Sequence, residues 1–282
     1  SGRFWEEENK QDAFLGKLYG SVWGRAILRP LVCPFVSRMA GRLLDSRISR
    51  LLIRPFIRAN QISMEQYEKK AYRSYNDFFT RRVLPGQRTF PESPEKLGAP
   101  CDGKVTAYEI GPSSGFTVKH RTYTLESLLK SRRLAEKYQG GLAVILRLTV
   151  DDYHRYAYLD DGRKTCNRRI QGKLHTVNPA ADEFYPVYKE NSREYTMLRT
   201  RNFGDVIQME VGALLVGRIV NLQEKGEIQR GQEKGFFEFG GSTVILLFEK
   251  GAVCLKKELL ENTERGCETV VKMGEEIGWR AE

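Results

Sequence analysis

The sequence predicts an α+β fold: a basic helical N-terminal region followed by a β-rich body of mainly antiparallel strands. Three observations predict it. Before position 84 the chain reads as helices in which apolar side chains alternate with arginines. Residues 84–95, Leu-Pro-Gly-Gln-Arg-Thr-Phe-Pro-Glu-Ser-Pro-Glu, hold three prolines and read as a turn-rich connector. Beyond them the chain breaks into short apolar runs separated by glycines, the pattern of strands. The chain therefore divides into 1–83, helical, and 84–282, β-rich.

The helical segments are expected at 5–19, 21–28, 37–58 and 63–79. Pro30, Pro34 and Pro55 forbid one continuous rod across the second and third of these. Ser63 offers a cap for the fourth, with Glu65 and Glu68 in the first turns. Strands are expected at 105–110, 142–150, 172–177, 194–200, 205–211, 213–221, 236–239 and 243–248, with one helix at 125–137 between them.

Composition narrows the class. A chain 40% hydrophobic and 29% charged sits near globular averages, which argues against collagen-like, disordered and disulfide-scaffold classes. No window offers 18 consecutive apolar residues, so no conventional transmembrane helix is expected. The opening Ser-Gly-Arg-Phe-Trp lacks the basic start and apolar stretch of a secretory signal. The five cysteines, Cys33, Cys101, Cys166, Cys254 and Cys267, are widely spaced and include no Cys-x-x-Cys. That pattern points inside the cell and away from a disulfide framework or zinc knuckle. Three histidines leave little for a metal site, and no metal is expected.

Charge is unevenly spread. The net formal charge is +10, and residues 21–60 alone carry +7, from eight arginines against Asp45. Arg47, Arg50, Arg54 and Arg58 recur at spacings of three and four, on one helical face. Large apolar residues such as Leu43, Leu44, Ile48, Leu51, Leu52, Phe56 and Ile57 lie between them. Such a segment either packs its apolar face on the protein or lies on an anionic membrane. Arginine-rich helices also bind nucleic-acid phosphates.

The chemistry concentrates at Phe239-Gly240-Gly241-Ser242-Thr243, followed by the apolar run Val-Ile-Leu-Leu-Phe. Glycine admits a strained backbone and close approach to its carbonyl. A serine after it can turn its hydroxyl onto that carbonyl, giving an ester by N-to-O acyl shift. β-Elimination then cuts the chain, and hydrolysis of the resulting dehydroalanine leaves a pyruvoyl group. Other polar turns punctuate the strands: Cys101-Asp102-Gly103-Lys104-Val105, Asp151-Asp152-Tyr153-His154-Arg155, His175-Thr176-Val177-Asn178-Pro179 and Glu190-Asn191-Ser192-Arg193.

From Phe78-Phe79-Thr80-Arg81-Arg82 to Met273-Gly274-Glu275-Glu276-Ile277-Gly278, these motifs resemble the phosphatidylserine decarboxylases in order and approximate spacing. The resemblance implies cleavage between Gly241 and Ser242, giving a large chain 1–241 and a small chain 242–282 that stay partners. It implies a covalent pyruvoyl cofactor derived from Ser242, no metal, and catalytic roles for Asp102, His154 and Ser242. Carboxylate, imidazole and serine are the parts of a charge relay. The family converts phosphatidylserine to phosphatidylethanolamine and CO2 through a Schiff base. It also implies a membrane phospholipid substrate, an anionic membrane surface as partner and no nucleic acid, with a homodimer left open. The location implied is peripheral, on the cytoplasmic face of the cell membrane. The chain departs from many relatives at Ala157, where they carry a second histidine. If that histidine is their processing base, His154, His175 or neither takes its place here. A pyruvoyl decarboxylase of another amino acid or serine-headgroup lipid, or a non-catalytic membrane-binding relative, stands as the alternative.

The arginine face generates a direct expectation. Each basic residue at an anionic surface contributes about 1 kcal/mol, and salt screens it. Changing Arg47, Arg50, Arg54 and Arg58 together to glutamine should weaken co-sedimentation with anionic vesicles at low salt and leave chain cleavage intact. Unchanged sedimentation would mark these arginines as a solvated face.

Overall fold

The computed structural model describes residues 39, 41–118, 121–175, 187–213, 218–240 and 242–281. The helices expected at 5–19 and 21–28 lie outside these residues. No helix among the described residues is long and apolar enough to cross a membrane.

The body is built on a nine-stranded sheet. Its order is Gly226–Ile228, Gly162–Lys164, Arg193–Thr200, Asp205–Gly212, Ser242–Phe248, Leu142–Leu148, Gly103–Glu109 and Thr269–Val271, with Arg168–Ile170 pairing off this path to Arg193–Thr200. Every ladder in it is antiparallel. Ser242–Phe248 lies near the middle, paired along its whole length to Leu142–Leu148 and along six residues to Asp205–Gly212. All seven of its residues are buried.

Two-sided burial explains why these strands read as continuous apolar runs rather than alternating ones. Val144, Leu146, Val244, Leu246 and Phe248 face one core; Ala143, Ile145, Ile207, Met209, Ile245 and Leu247 face another. The helices Leu125–Leu129 and Arg132–Lys137 cover the second core with Leu125, Leu128, Leu129 and Ala135. The sheet of Lys96–Gly98, Glu276–Arg280 and Val253–Leu255, with the helix Lys257–Glu264, covers the first.

Several expected elements are shorter or broken. The helix expected at 125–137 is two, because Lys130 takes a left-handed conformation (φ +50°) and the Ser131 hydroxyl caps a new start at the Leu134 N–H. The helix expected at 37–58 breaks at Ser46, which is extended and opens a 3-10 turn, Arg47–Leu52, before the helix Ile53–Ala59. Pro55 is tolerated there because it falls in the first turn, where its missing N–H is not needed. The helix expected at 63–79 shrinks to the 3-10 turn Met64–Gln66 and the helix Tyr75–Phe79. The intervening backbone is drawn elsewhere: Tyr67 bridges Val83, and the Glu68 N–H donates to the Arg82 carbonyl. The effective cap is Ser74, whose hydroxyl accepts from the Asp77 N–H at 3.2 Å. The strand expected at 172–177 is only a bridge from Lys173 to Asn191 among the described residues, and that expected at 213–221 only Ile219–Asn221.

The short helices join the body through aromatics. Leu44, Ile53, Phe56 and Ile57 pack around Tyr75, Phe78 and Phe79, and Phe239 joins the same cluster. Outward lie Arg42, Arg47, Arg50, Arg54 and Arg58, interspersed with exposed Leu43, Ile48 (76%), Leu51 (77%) and Leu52. Phe78 is fully buried against Phe56, Tyr72 and Tyr75. Phe78→Ala should therefore cost about 3–5 kcal/mol in urea unfolding; an unmoved midpoint would mean the helices ride on the body without cohering to it.

Candidate active site

Ser242 begins the central strand. It faces Gly212 on one flank and Leu148 on the other. Its Oγ and the neighbouring Thr243 Oγ1 are buried and make no hydrogen bond among the described residues. Before it the backbone passes through Gly240 at φ +130°, a conformation that side-chain-bearing residues rarely adopt. Gly241 lies outside the described residues. The approach is held from the helical side: the Phe239 N–H donates to Asn76 Oδ1 at 3.3 Å, and the Phe239 ring meets Tyr75 and Phe79 edge-on.

His154 arrives from the Leu148 flank. The strand ends in a turn where the Asp152 carboxylate accepts from the Thr149 N–H and hydroxyl, at 2.8 and 2.9 Å. Two residues on, the His154 carbonyl accepts from the Phe237 N–H at 2.9 Å, five residues before Ser242. The imidazole is wholly buried, with Phe79 4.1 Å from it between ring centroids. Its Nδ1 lies 2.9 Å from the Asp152 carbonyl, which can only accept, so Nδ1 carries the proton. Nε2 is left buried with no hydrogen bond of good geometry, although the Gly240 carbonyl lies near enough to favour a proton there. Burial, and then the charge of Arg81, push the imidazole down to about 3. At neutral pH the ring is therefore an uncharged base with an open lone pair.

Asp102 is also wholly buried, but it does not touch the imidazole. Arg88 grips its carboxylate with Nε and Nη2, both at 2.8 Å. The Met273 N–H donates to it at 2.8 Å, and Lys272 Nζ lies 3.3 Å away. It reaches His154 only through its field. The following glycine is required: at Gly103 (φ +150°) a Cβ would sit 2.8 Å from the Arg147 carbonyl.

His175 comes from the Gly212 flank. Asn191 ties it there, accepting from the His175 N–H at 2.9 Å and donating to the carbonyls of His175 and Gly212 at 2.7 and 2.8 Å. Its Nε2 is 3.7 Å from Glu190 Oε2, and burial pushes it downward too. The strand order thus brings His154 and His175 to the same end of the sheet, one on each side of Ser242. No cluster of three or more metal-ligating side chains occurs among the described residues. Arg81, Arg88, Asn191 and Lys272 were not singled out from the sequence as site residues. Arg81 stood in the Phe-Phe-Thr-Arg-Arg motif, while Arg88 sits in the connector, where nothing marks it as bound to Asp102.

An imidazole held neutral in the folded chain costs stability as pH falls, because the unfolded chain takes up the proton first. The window opens near pH 6.5, the unfolded value, and closes near 3, the folded one; above it the full stability is present. In a Ser242→Ala background, stability to urea should fall about 1 kcal/mol per pH unit more steeply with His154 than with His154→Gln below pH ~6. Equal slopes would mean that the folded ring already carries the proton.

A family model described as phosphatidylserine decarboxylase matches residues 75–279. A relative from Clostridium acetobutylicum, named phosphatidylserine decarboxylase proenzyme 2, is 43% identical over 96% of this chain and 94% of its own length. Relatives named phosphatidylserine decarboxylase proenzyme follow from Ruminiclostridium cellulolyticum, 41% identical over 94% of this chain and 90% of its own, and from Fusobacterium nucleatum, 36% identical over 99% and 95%. A match of this extent, covering both the helical segment and the Ser242 strand, places the chain in the phosphatidylserine decarboxylase family.

Proposed function

We propose that this chain cuts itself between Gly241 and Ser242, converts Ser242 to a pyruvoyl group, and decarboxylates phosphatidylserine to phosphatidylethanolamine. One observation carries the reading: a buried serine hydroxyl without a partner opens the central strand, at the sheet end where a buried, neutral histidine keeps Nε2 open. A buried polar atom left unpaired is costly and rare, and two such atoms at one strand end call for a function.

The residues divide the work as follows. His154 Nε2 takes the Ser242 hydroxyl proton as Oγ attacks the preceding carbonyl, while the Asp152 carbonyl holds the ring by Nδ1–H. Asp102 favours the imidazolium that forms, from a distance, its carboxylate held in place by Arg88 and Lys272. The glycine at 240 allows the backbone to bend into the attack. A pyruvoyl group at position 242 supplies a ketone for the substrate amine and a sink for the electron pair that CO2 leaves behind. The walls of Phe79, Phe239 and Tyr75 keep that end of the sheet dry, and His154 is placed to return a proton. The Ser242 surroundings fit such a group: the hydroxyl is buried with no competing bond among the described residues, at the sheet end that His154 also reaches. His175 is the alternative base.

The same reading assigns residues 1–83 to membrane association and 84–282 to the decarboxylase. Its support is the outer face of Arg47–Leu52 and Ile53–Ala59, where arginines alternate with exposed leucine and isoleucine. That face suits the anionic cytoplasmic leaflet, with charge drawing the protein in and apolar side chains entering the headgroup layer.

A denaturing gel with intact masses tests the core of this. Wild type should resolve into 1–241 and a blocked chain from 242, and release CO2 from phosphatidylserine vesicles. Ser242→Ala should stay whole. His154→Ala should cut about 10²–10⁴-fold more slowly, and His175→Ala at the normal rate. Wild type that stays one chain overturns the reading; cutting lost in His175→Ala but kept in His154→Ala moves the base to His175.

A further inference from the structure

Arg81 is buried to 1% exposure, yet it is held in an unusual way. All its hydrogen bonds leave from Nη2, to the Asp151 carbonyl at 3.0 Å, the Asp152 carbonyl at 3.4 Å and the Tyr67 hydroxyl at 3.3 Å. Its Nε and Nη1 are buried without a partner among the described residues. Its faces lie against aromatic rings, with Tyr67 4.3 Å and Phe78 5.0 Å from the guanidinium carbon.

The other deeply buried arginines show what the fold does when it only needs to accommodate the charge. Arg193 spends all three nitrogens on the carbonyls of Leu128, Lys189, Asn191 and Ser127. Arg147 is clamped by Glu268, and Arg88 by Asp102. Arg81 has neither a full set of carbonyls nor a carboxylate among the described residues. A cation packed in aromatics, without a counter-ion, projects its field onto its neighbours undiminished.

Its nearest functional neighbour is His154. The Asp152 carbonyl that accepts from Arg81 Nη2 is the one that accepts from His154 Nδ1–H. By holding the carbonyls of residues 151 and 152, Arg81 therefore fixes the acceptor that sets the imidazole's tautomer and rotation. The charges around the ring do not cancel this effect. Asp102 favours a proton on the ring, but Arg88 and Lys272 face it directly. The Asp152 carboxylate is turned to Thr149, with Lys272 3.8 Å away.

We propose that Arg81 is the positioning residue of this site, holding His154 in the Nδ1–H tautomer and keeping Nε2 free of a proton. The proposal rests on the reading above that His154 is the base for self-cleavage. It adds that Arg81, together with burial, keeps the chain competent to mature in mildly acidic conditions, where an exposed histidine would be charged. Arg81 touches no reacting atom in this account; it acts through the 151–152 backbone and through its field.

Two measurements test it. The first is the pH profile of self-cleavage for wild type, Arg81→Lys and Arg81→Met. Wild type should show no histidine-like acid limb between pH ~5 and ~7. The lysine variant, which keeps the charge, should follow wild type at acid pH even if it is slower throughout. The methionine variant, which keeps the burial of the ring but loses the charge, should show its acid limb at a higher pH than wild type and lose about tenfold in rate for each pH unit below it. A methionine variant slowed equally at every pH would show Arg81 to be structural only, and overturn the proposal. The second is ¹⁵N NMR of histidine in the whole Ser242→Ala chain, which needs neither cleavage nor an Arg81 variant that folds. The His154 nitrogens should report a neutral ring protonated on Nδ1 down to pH ~5. A proton on Nε2, or a second proton gained near pH ~6.5, overturns the proposal whatever the variants do. Failure of the underlying reading would look different: wild type would not cut at all, while the NMR tautomer would still stand or fall alone.

Discussion

The rest of the molecule depends on the double pairing of the strand Ser242–Phe248. It is hydrogen-bonded on both flanks, and its side chains enter cores on both faces. A strand so held cannot slip by one residue without exchanging its two buried faces. Ser242 is thereby fixed in depth, in direction and in register with Gly212 and Leu148. The neighbouring strands are also paired, so the turn after Leu148 delivers His154, and the turn before Arg193 supplies Asn191, which holds His175, at places set by the sheet. The loops carry the chemistry, while the ladder decides where the chemistry can happen.

The second organising element is the aromatic cluster at that end of the sheet. Phe79 lies against His154 on one side and Phe239 on another, and Tyr75 links both to Phe56. One set of rings therefore excludes water from the imidazole, braces the turn before Ser242 and anchors the helix Ile53–Ala59. The basic outer face of that helix, and the exposed leucine and isoleucine of the turn before it, are backed by the rings that pack against His154 and the approach to Ser242. Any lipid surface resting on the helix is separated from His154 by little more than this layer of rings, a short path for a substrate that stays in its bilayer.

Much of this was legible in the sequence. The central strands were, because runs such as Val-Ile-Leu-Leu-Phe are apolar at every position, which two-sided burial demands. Ser242 was singled out through the resemblance of the surrounding motifs, because glycines before a serine and an apolar run are by themselves an ordinary tight turn. The helix boundaries were less so: Ser63 looks like the cap, and only the pairing of Tyr67 with Val83 moves the helix start to Ser74. Everything beyond Phe248 was missed as structure, since Val253–Leu255, Thr269–Val271 and Glu276–Arg280 are three to five residues long and gain their order from distant partners. The partners of the site were missed for the same reason. Arg88 meets Asp102 across 14 residues, and Arg81 meets Asp151 across 70. Local patterning carries no trace of such meetings. Among the described residues the imidazole meets a backbone carbonyl and not the carboxylate of the relay that the resemblance implies, a contact no side-chain pattern announces.

The placement of the last forty residues has a consequence for how long such a molecule lasts. Residues 242–281 supply the middle strand of the large sheet, its edge strand Thr269–Val271, and two of the three strands of the small sheet. The remainder of the chain closes around them on both sides. Were the backbone cut before Ser242, as proposed, the two pieces would be held together by non-covalent contacts, and separating them would require the large sheet to be split along two ladders at once. Reassembly then becomes an encounter between two molecules, neither with a complete core. A chain cut in this way can be long-lived without being able to form again, so its lifetime is governed by the barrier to opening and not by an equilibrium it could return to.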